Sequence, residues 1–130
     1  MAAAGKKVAI LGLTFKPNTD DMRESPALDI IPALQAVGAA IHAYDPKGME
    51  EARKLLSDVT YCNDAYATMT DADVVVIVTE WNEFRALDFD RVKSLVKAPV
   101  IVDLRNVYAR GDLESLGFKY TGIGRGHEIK

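Results

Sequence analysis

Cysteine and histidine are scarce in this 130-residue chain, which contains one cysteine and two histidines. A lone cysteine, Cys62, cannot close an internal disulfide, so the chain lacks the cross-linked framework of small secreted domains. Neither His42 nor His127 lies near Cys62 in the sequence. We therefore expect Cys62 to be structural, and we expect no catalytic cluster built from a thiol and an imidazole.

Long apolar runs and an excess of basic residues are also missing. The longest unbroken apolar stretches, residues 8–13 and 74–78, fall far short of the ~20 residues of a membrane span. Residues 1–7 are too short for a secretory leader. The formal net charge of -3 leaves no basic stripe of the kind that nucleic-acid binders need. We expect a cytoplasmic protein that binds neither membranes nor nucleic acids.

Runs rich in Val and Ile alternate with helical patterns, which is typical of strand and helix units in a parallel sheet. Residues 73–79, DVVVIVT, lack an alternating polar face, so we expect a central strand covered on both faces. The pattern predicts an α/β fold: a Rossmann-like three-layer sandwich whose mainly parallel, doubly wound sheet of about six strands has the mirrored order of dinucleotide-binding folds. The predicted strands are residues 7–13, 40–44, 60–62, 73–79, 100–104 and 118–121.

Helices are predicted between these strands. Ser25 can cap the first helix, Pro26 suits its first turn, and Gly38 is the expected C-cap. Further helices are expected to begin near Asp45, Asp64, Asp88 and Asp112, and the apolar face of the second is Met49, Ala52, Leu55 and Leu56. We assign residues 6–125 to one domain, 1–5 to an added or linker start, and 126–130 to a tail.

The stretch GLTFKPNTDDMRESP, residues 12–26, stands where dinucleotide-binding folds keep their phosphate loop. It has one glycine, and no second appears before Gly38, so its backbone cannot cradle a pyrophosphate as a GxGxxG loop does. The loop is about twice the usual length of ~2 to 6 residues, and such loops tend to be functional. If the first and fifth strands flank the fourth, the ends of those two strands lie ~10 Å apart, a gap that fits a diphosphate. The long side chains of Lys16 and Arg105 can then both reach a ligand in that gap, with Phe15 as a flat apolar face.

Other polar residues at the predicted strand ends permit two interpretations. Arg23 can pair with a neighbouring acid or contact a ligand. The adjacent acids Asp20 and Asp21 could suggest a metal, but no further ligand stands near them, so we expect no metal site. Asp45 could bind a ribose, although Pro46 and a helix follow it, which favours a cap. Whether Asp45 and Glu80 contact a ligand is left open by the sequence.

Several motifs together carry a family resemblance. GLTFKPNTDDMRESP, then YDP, ADVVVIVTEWNEF, VDLRN and a closing GIGR, in this order and spacing, resemble the C-terminal, UDP-binding domain of the UDP-glucose/GDP-mannose dehydrogenase family. The likeness extends over residues 6–125 and implies a part of an enzyme that uses NAD to oxidise the C6 alcohol of a nucleotide sugar to a carboxylate in two steps.

The resemblance also implies residue roles. Phe15 and Lys16 are expected to contact the UDP-sugar, Arg105 to be a further substrate contact, and Arg23 to contact NAD held by another domain. The family's catalytic cysteine and its GxGxxG domain have no counterpart here, so the resemblance implies no catalytic residue in this chain and no NAD bound to it alone. Expected partners are UDP or UDP-glucose and the NAD-binding and central domains of a parent enzyme that is a homodimer or larger.

Three alternatives remain open at this stage. The sugar is not fixed, because the groups that distinguish nucleotide sugars in this family lie largely outside this domain. The chain could instead be a structural or assembly domain that binds no nucleotide. A receiver-like signalling module shares the size and the α/β class, but it requires an acceptor Asp after the third strand and a Lys after the fifth, where this chain has Arg105.

Overall fold

The computed structural model describes residues 5–122, and within them six strands alternate with six helices. The strands are β1 (Lys7–Leu11), β2 (Ala40–Tyr44), β3 (Val59–Tyr61), β4 (Val74–Ile77), β5 (Val100–Asp103) and β6 (Lys119–Gly122). The helices are α1 (Ala27–Ala36), α2 (Met49–Leu55), α3 (Ala65–Met69), α4 (Asn82–Arg85), α5 (Phe89–Leu95) and α6 (Arg110–Ser115). The tail predicted at 126–130, His127 and residues 1–4 of the predicted start lie outside the described residues.

All six strands run parallel in one sheet, in the order β3-β2-β1-β4-β5-β6. This confirms the doubly wound, Rossmann-like fold and the order of dinucleotide-binding folds. Strands β1 and β5 flank β4, which is the arrangement that lets Lys16 and Arg105 face one gap. Receiver domains have the strand order 2-1-3-4-5 instead, so the receiver-like alternative is wrong.

The central strands are buried on both faces because neighbouring side chains along a strand point to opposite sides. One face packs Ala9, Leu11, Val75 and Ile77 with Phe84 and Val92. The other packs Val8, Ile10, Val76 and Val78 with Ala27 and Ile31 of α1. The prediction that residues 73–79 are covered on both faces is therefore confirmed. Among residues 5–122, no helix is long and apolar enough to cross a membrane.

Two helix predictions need correction. Leu55 does not face the core but is 59% exposed. The apolar side chains of this segment that pack against the sheet are Met49, Ala52 and Leu56, and Leu55 lies on the other flank of α2. The short helix α4 was not predicted at all, since its sequence NEFR has no apolar periodicity and buries one large side chain, Phe84. Ser25 does bond to an amide of the first turn, that of Ala27 at 3.2 Å.

Gly12 makes the closest backbone approach at the end of β1. Its φ of 93° lies in the region that glycine tolerates and side chains avoid. A Cβ at this position would come within 2.6 Å of the Thr79 backbone nitrogen and side chain. Glycine is therefore required here so that the chains leaving β1 and β4 can pass each other.

We predict that Gly12→Ala lowers the free energy of unfolding by roughly 2–4 kcal/mol, because the added methyl group meets backbone atoms and the positive φ is strained. Gly111→Ala is the matched control, since no atom lies within 4 Å of its Cβ position. The control should gain about 0.5–1 kcal/mol from helix propensity. Urea unfolding measures both changes, and equal stability of the two variants would contradict the prediction.

Candidate functional site

The carboxyl ends of the parallel strands meet at one edge of the sheet, and the polar motifs follow them there. The β1–α1 loop (residues 12–26) leaves β1, Asp45 follows β2, Glu80 and Trp81 follow β4, and Arg105 follows β5. In doubly wound sheets this edge is where ligands bind, at the point where strand order reverses. That point lies between β1 and β4 in this protein.

The buried Asp45 carboxylate joins three of these chain segments. One oxygen, Oδ2, accepts hydrogen bonds from the amides of Leu13 and Thr14 and from Trp81 Nε1, at 2.7, 3.2 and 3.2 Å. The other, Oδ1, accepts from the amides of Lys47 and Gly48, just before α2. The interpretation of Asp45 as a cap describes the second oxygen only. Because the side chain is fully buried and bonded in this way, it does not face a ligand.

The β1–α1 loop folds back on itself through short-range hydrogen bonds. The Phe15 amide donates to the Asp21 carbonyl at 3.3 Å, and Thr19 Oγ1 accepts from the Asp21 amide at 3.1 Å. The Ser25 hydroxyl donates to the carbonyl of Leu13, which ties the start of α1 to the end of β1. The shape of the loop is thus held by hydrogen bonds of its own backbone and of the Thr19 and Ser25 hydroxyls, and not by a series of glycines.

Phe15 and Lys16 line a cavity of about 280 Å³ in this loop, together with Thr19, Asp21, Arg23 and Glu24. Lys16 is exposed, and its Nζ lies 6.0 Å from the centroid of the half-buried Phe15 ring. Arg105 is not among the lining residues, but its Cζ lies 5.6 Å from the same centroid. Three of the predicted site residues, Phe15, Lys16 and Arg105, are therefore brought together around one aromatic ring.

Arg105 is bound to Glu80 by a bidentate ion pair. Arg105 Nε donates to Glu80 Oε1 at 2.9 Å and Nη2 donates to Oε2 at 3.3 Å. Burial acts to raise the pKa of the Glu80 carboxyl, but the hydrogen bonds and charge of Arg105, with the charge of Arg85, outweigh it and lower that pKa. Apart from the position of both residues at predicted strand ends, 25 residues apart, no pattern in the sequence indicates this pair.

Arg23 extends into solvent, with 88% of its side chain exposed, and is paired with Asp21. Its Nη2 lies 2.8 Å from Asp21 Oδ2, and its Nε donates to Oδ1 at 3.0 Å. The local ion pair considered from the sequence is thus present in this structure. Arg23 lines the same cavity as Phe15 and Lys16. Its contact with a cofactor held by another domain stays a prediction.

The remaining candidates stay apart from this cluster. Cys62 is a half-buried free thiol just after β3, and His42 lies within β2, where burial lowers its pKa. Within residues 5–122, no group of three acidic, histidine or cysteine side chains could hold a metal ion. Sequence reasoning missed Trp81, whose indole N–H reaches Asp45, because a tryptophan after a strand has no pattern that distinguishes such a role.

We predict that Asp45→Asn lowers the free energy of unfolding by about 2–4 kcal/mol, because an amide group would place a donor among buried donors. Asp64→Asn is the control: Asp64 caps α3 through the Ala67 amide at 2.7 Å, and asparagine caps about as well, so the change should stay within about 0.5 kcal/mol. Chemical denaturation compares them. A loss no greater at Asp45 than at Asp64 would count against the central role of the carboxylate.

We predict that the Asp21 carboxyl titrates at about 2 rather than at its ordinary 3.8, because the Arg23 side chain and amide bond to the ionised form. A lowered native pKa means that the pair stabilises the folded loop above about pH 3.8, and that this contribution disappears as the pH falls toward 2. Carboxyl-carbon NMR follows the titration. Arg23→Gln should bring the pKa back toward 3.8 and Lys16→Gln should not; an unchanged value in Arg23→Gln would refute the pairing.

Comparisons with known proteins identify the family. The UDP-binding domain of the UDP-glucose/GDP-mannose dehydrogenase family matches residues 9–110. UDP-glucose 6-dehydrogenase of Rhizobium meliloti is 57% identical over 121 residues, which are 93% of this chain and 28% of that enzyme.

Solved structures of related dehydrogenases share the fold. A UDP-glucose dehydrogenase of Pyrobaculum islandicum superposes with a TM-score of 0.77 at 35% identity, over 95% of this chain and 26% of the other. NDP-N-acetyl-D-galactosaminuronic acid dehydrogenase of Methanosarcina mazei gives 0.83 at 29% identity, over 98% and 26%. The chain thus spans about a quarter of the length of these relatives, and it belongs to the UDP-glucose/GDP-mannose dehydrogenase family, whose UDP-binding domain it represents.

Proposed function

We propose that this chain binds the UDP part of a nucleotide sugar at the edge formed by the ends of β1, β4 and β5. The arrangement of Lys16 and Arg105 around the Phe15 ring is the observation on which the proposal rests. Two cationic side chains beside an apolar face suit a ligand that combines a diphosphate with a flat base. Membership of a family whose matching domain is described as UDP-binding supports the same ligand.

The two cations can supply the main attraction for a diphosphate. At ~4 Å and an effective dielectric constant near 20, each cation and phosphate charge attract by on the order of 4 kcal/mol before desolvation is subtracted. Lys16 is exposed and therefore gives up part of this energy to solvent screening. Arg105 is partly buried, with 24% of its side chain exposed, and keeps more of it. We therefore assign the larger share of the attraction to Arg105.

The parent reaction we propose is the NAD-dependent oxidation of UDP-glucose to UDP-glucuronate. UDP-glucose is chosen as the substrate because the relative that is 57% identical is a UDP-glucose 6-dehydrogenase. NAD would be held by another domain of the parent enzyme, with Arg23 directed toward it. The chain alone would bind UDP without turnover, in a cytoplasmic parent enzyme that is a homodimer or larger.

We predict weak binding of UDP to the isolated chain, measured by titration calorimetry. Lys16→Ala should weaken it by about threefold and Arg105→Ala by about tenfold or more, since a tenfold change corresponds to ~1.4 kcal/mol. Lys97→Ala is the matched control, because Lys97 is an exposed lysine before β5, at the opposite edge of the sheet. Its affinity for UDP should equal that of the unmodified chain.

Three results would each contradict a part of the proposal. If the folded chain shows no heat of binding at millimolar UDP, this would favour an assembly domain whose site does not form without the rest of the enzyme. Reduction of NAD by this chain with UDP-glucose would refute its predicted lack of turnover. Equal losses in Lys97→Ala and Lys16→Ala would show that the binding reflects general charge rather than this site.

A further inference from the structure

Hydrogen bonds hold the backbone at Glu80 and at Arg105, so their ion pair joins two fixed backbone positions. Glu80 lies between Thr79, whose hydroxyl donates to the Thr14 carbonyl, and Trp81, whose indole donates to Asp45. The amide of Arg105 donates to Asp103 Oδ1 at 3.0 Å. Both ends of the pair are therefore held by buried polar groups at the ends of β4 and β5.

The turn that carries Arg105 is also held by further hydrogen bonds of Asp103. Its other oxygen, Oδ2, accepts from the Tyr120 hydroxyl at 2.7 Å and from the Tyr108 amide at 3.1 Å. Asp103 itself is fully buried. The backbone that carries the guanidinium is consequently set by β5 and β6, and the remaining freedom of Arg105 is that of its side chain.

The ion pair with Glu80 restricts the Arg105 side chain, and it leaves some N–H donors of the guanidinium able to bind a second group. Within residues 5–122, the side-chain nitrogens of Arg105 donate to Glu80 alone, through Nε and one position of Nη2. The fork of an arginine offers further donors on Nη1 and Nη2, along its other edge. That edge can take a second anion in bidentate fashion, and Phe15 lies 5.6 Å from Cζ.

The local charge remains favourable to an anion despite the carboxylate. The charge of Arg85 also acts on Glu80, and Arg85 is anchored by donating from Nη1 to the Val107 carbonyl at 3.2 Å. Lys16 adds a further positive charge near the same ring. Lys16 and Arg23 match the charges of Asp21 and Glu24 in the cavity that these four residues line. Glu80 stands beside two arginines, Arg85 and Arg105, so its single charge does not cancel their attraction for phosphate.

We propose that Glu80 is a positioning residue of the UDP site, which holds the Arg105 guanidinium beside Phe15 with its free edge presented to the diphosphate. This inference rests on the proposed function. Its energetic basis is preorganisation: a free arginine side chain loses rotamer freedom when it binds a ligand, and the pair with Glu80 removes that entropic loss from the binding step. An opposite effect, competition of Glu80 with phosphate for Arg105, would act on the Nε edge, which the ligand does not need.

The test is a double-mutant cycle on UDP binding, measured by titration calorimetry on the full chain. Glu80→Gln should weaken binding about five- to tenfold, because a neutral amide replaces a charge-assisted bidentate acceptor. In an Arg105→Ala background the same change should have no further effect. Glu83→Gln is the matched control: Glu83 belongs to the same segment, but its carboxylate accepts from the Tyr44 hydroxyl at 2.8 Å and leaves Arg105 untouched, so its affinity should be unchanged.

Any other outcome would refute either the inference about Glu80 alone or the proposed function with it. Tighter UDP binding in Glu80→Gln would show that Glu80 competes with the ligand, and an equal loss in the Arg105→Ala background would show that Glu80 does not act through Arg105. Both would refute the inference while UDP binding by the unmodified chain stands. No UDP binding by the unmodified chain, with folding verified by circular dichroism, would refute the proposed function and the inference together.

Discussion

The site depends on a single buried carboxylate, that of Asp45, which accepts hydrogen bonds from the segments that follow β1, β2 and β4. A buried carboxylate is stable only when donors surround it, and here the donors are four backbone amides, an indole and the Thr14 hydroxyl. Because these donors come from three chain segments, the charge can be satisfied only when the three loops stand in one arrangement. The arrangement of the loops after β1, β2 and β4 therefore follows from the requirement to solvate this one negative charge, while the turn after β5 is held by a second buried carboxylate, that of Asp103.

This constraint explains why the loop after β1 can dispense with the glycines of a dinucleotide-binding loop. In a GxGxxG loop the backbone itself approaches the pyrophosphate, and glycine makes room for the ligand. Here the loop amides of Leu13 and Thr14 are used by Asp45, and the one essential glycine, Gly12, makes room for Thr79 of the same protein. Side chains farther along the loop, Phe15 and Lys16, are left to face a ligand.

The sequence predicted the sheet well, because buried parallel strands are short, unbroken apolar runs, and their alternation with helical patterns is typical of a doubly wound sheet. It placed Phe15, Lys16 and Arg105 at the carboxyl edge of the sheet, where the structure also has them, because each follows a predicted strand. It did not predict the pair of Glu80 with Arg105 or the bond from Trp81 to Asp45, because both join residues that are distant in sequence and neither has a spacing rule. Leu55 was misplaced since a seven-residue helix allows two apolar flanks, and packing against the sheet selects one.

The two arginines of the site differ in a way that fits the proposed division of labour. Arg105 is partly buried, fixed by Glu80, and carried by a turn that Asp103 holds, so its position is set before a ligand arrives. Arg23 is almost fully exposed, and its partner Asp21 belongs to the same loop, so its ion pair costs little to exchange. A contact within one domain gains from preorganisation, whereas a contact to a separate domain must adapt to that domain's position. The rigid arginine is therefore suited to UDP, and the exposed arginine to a group that another domain brings to it.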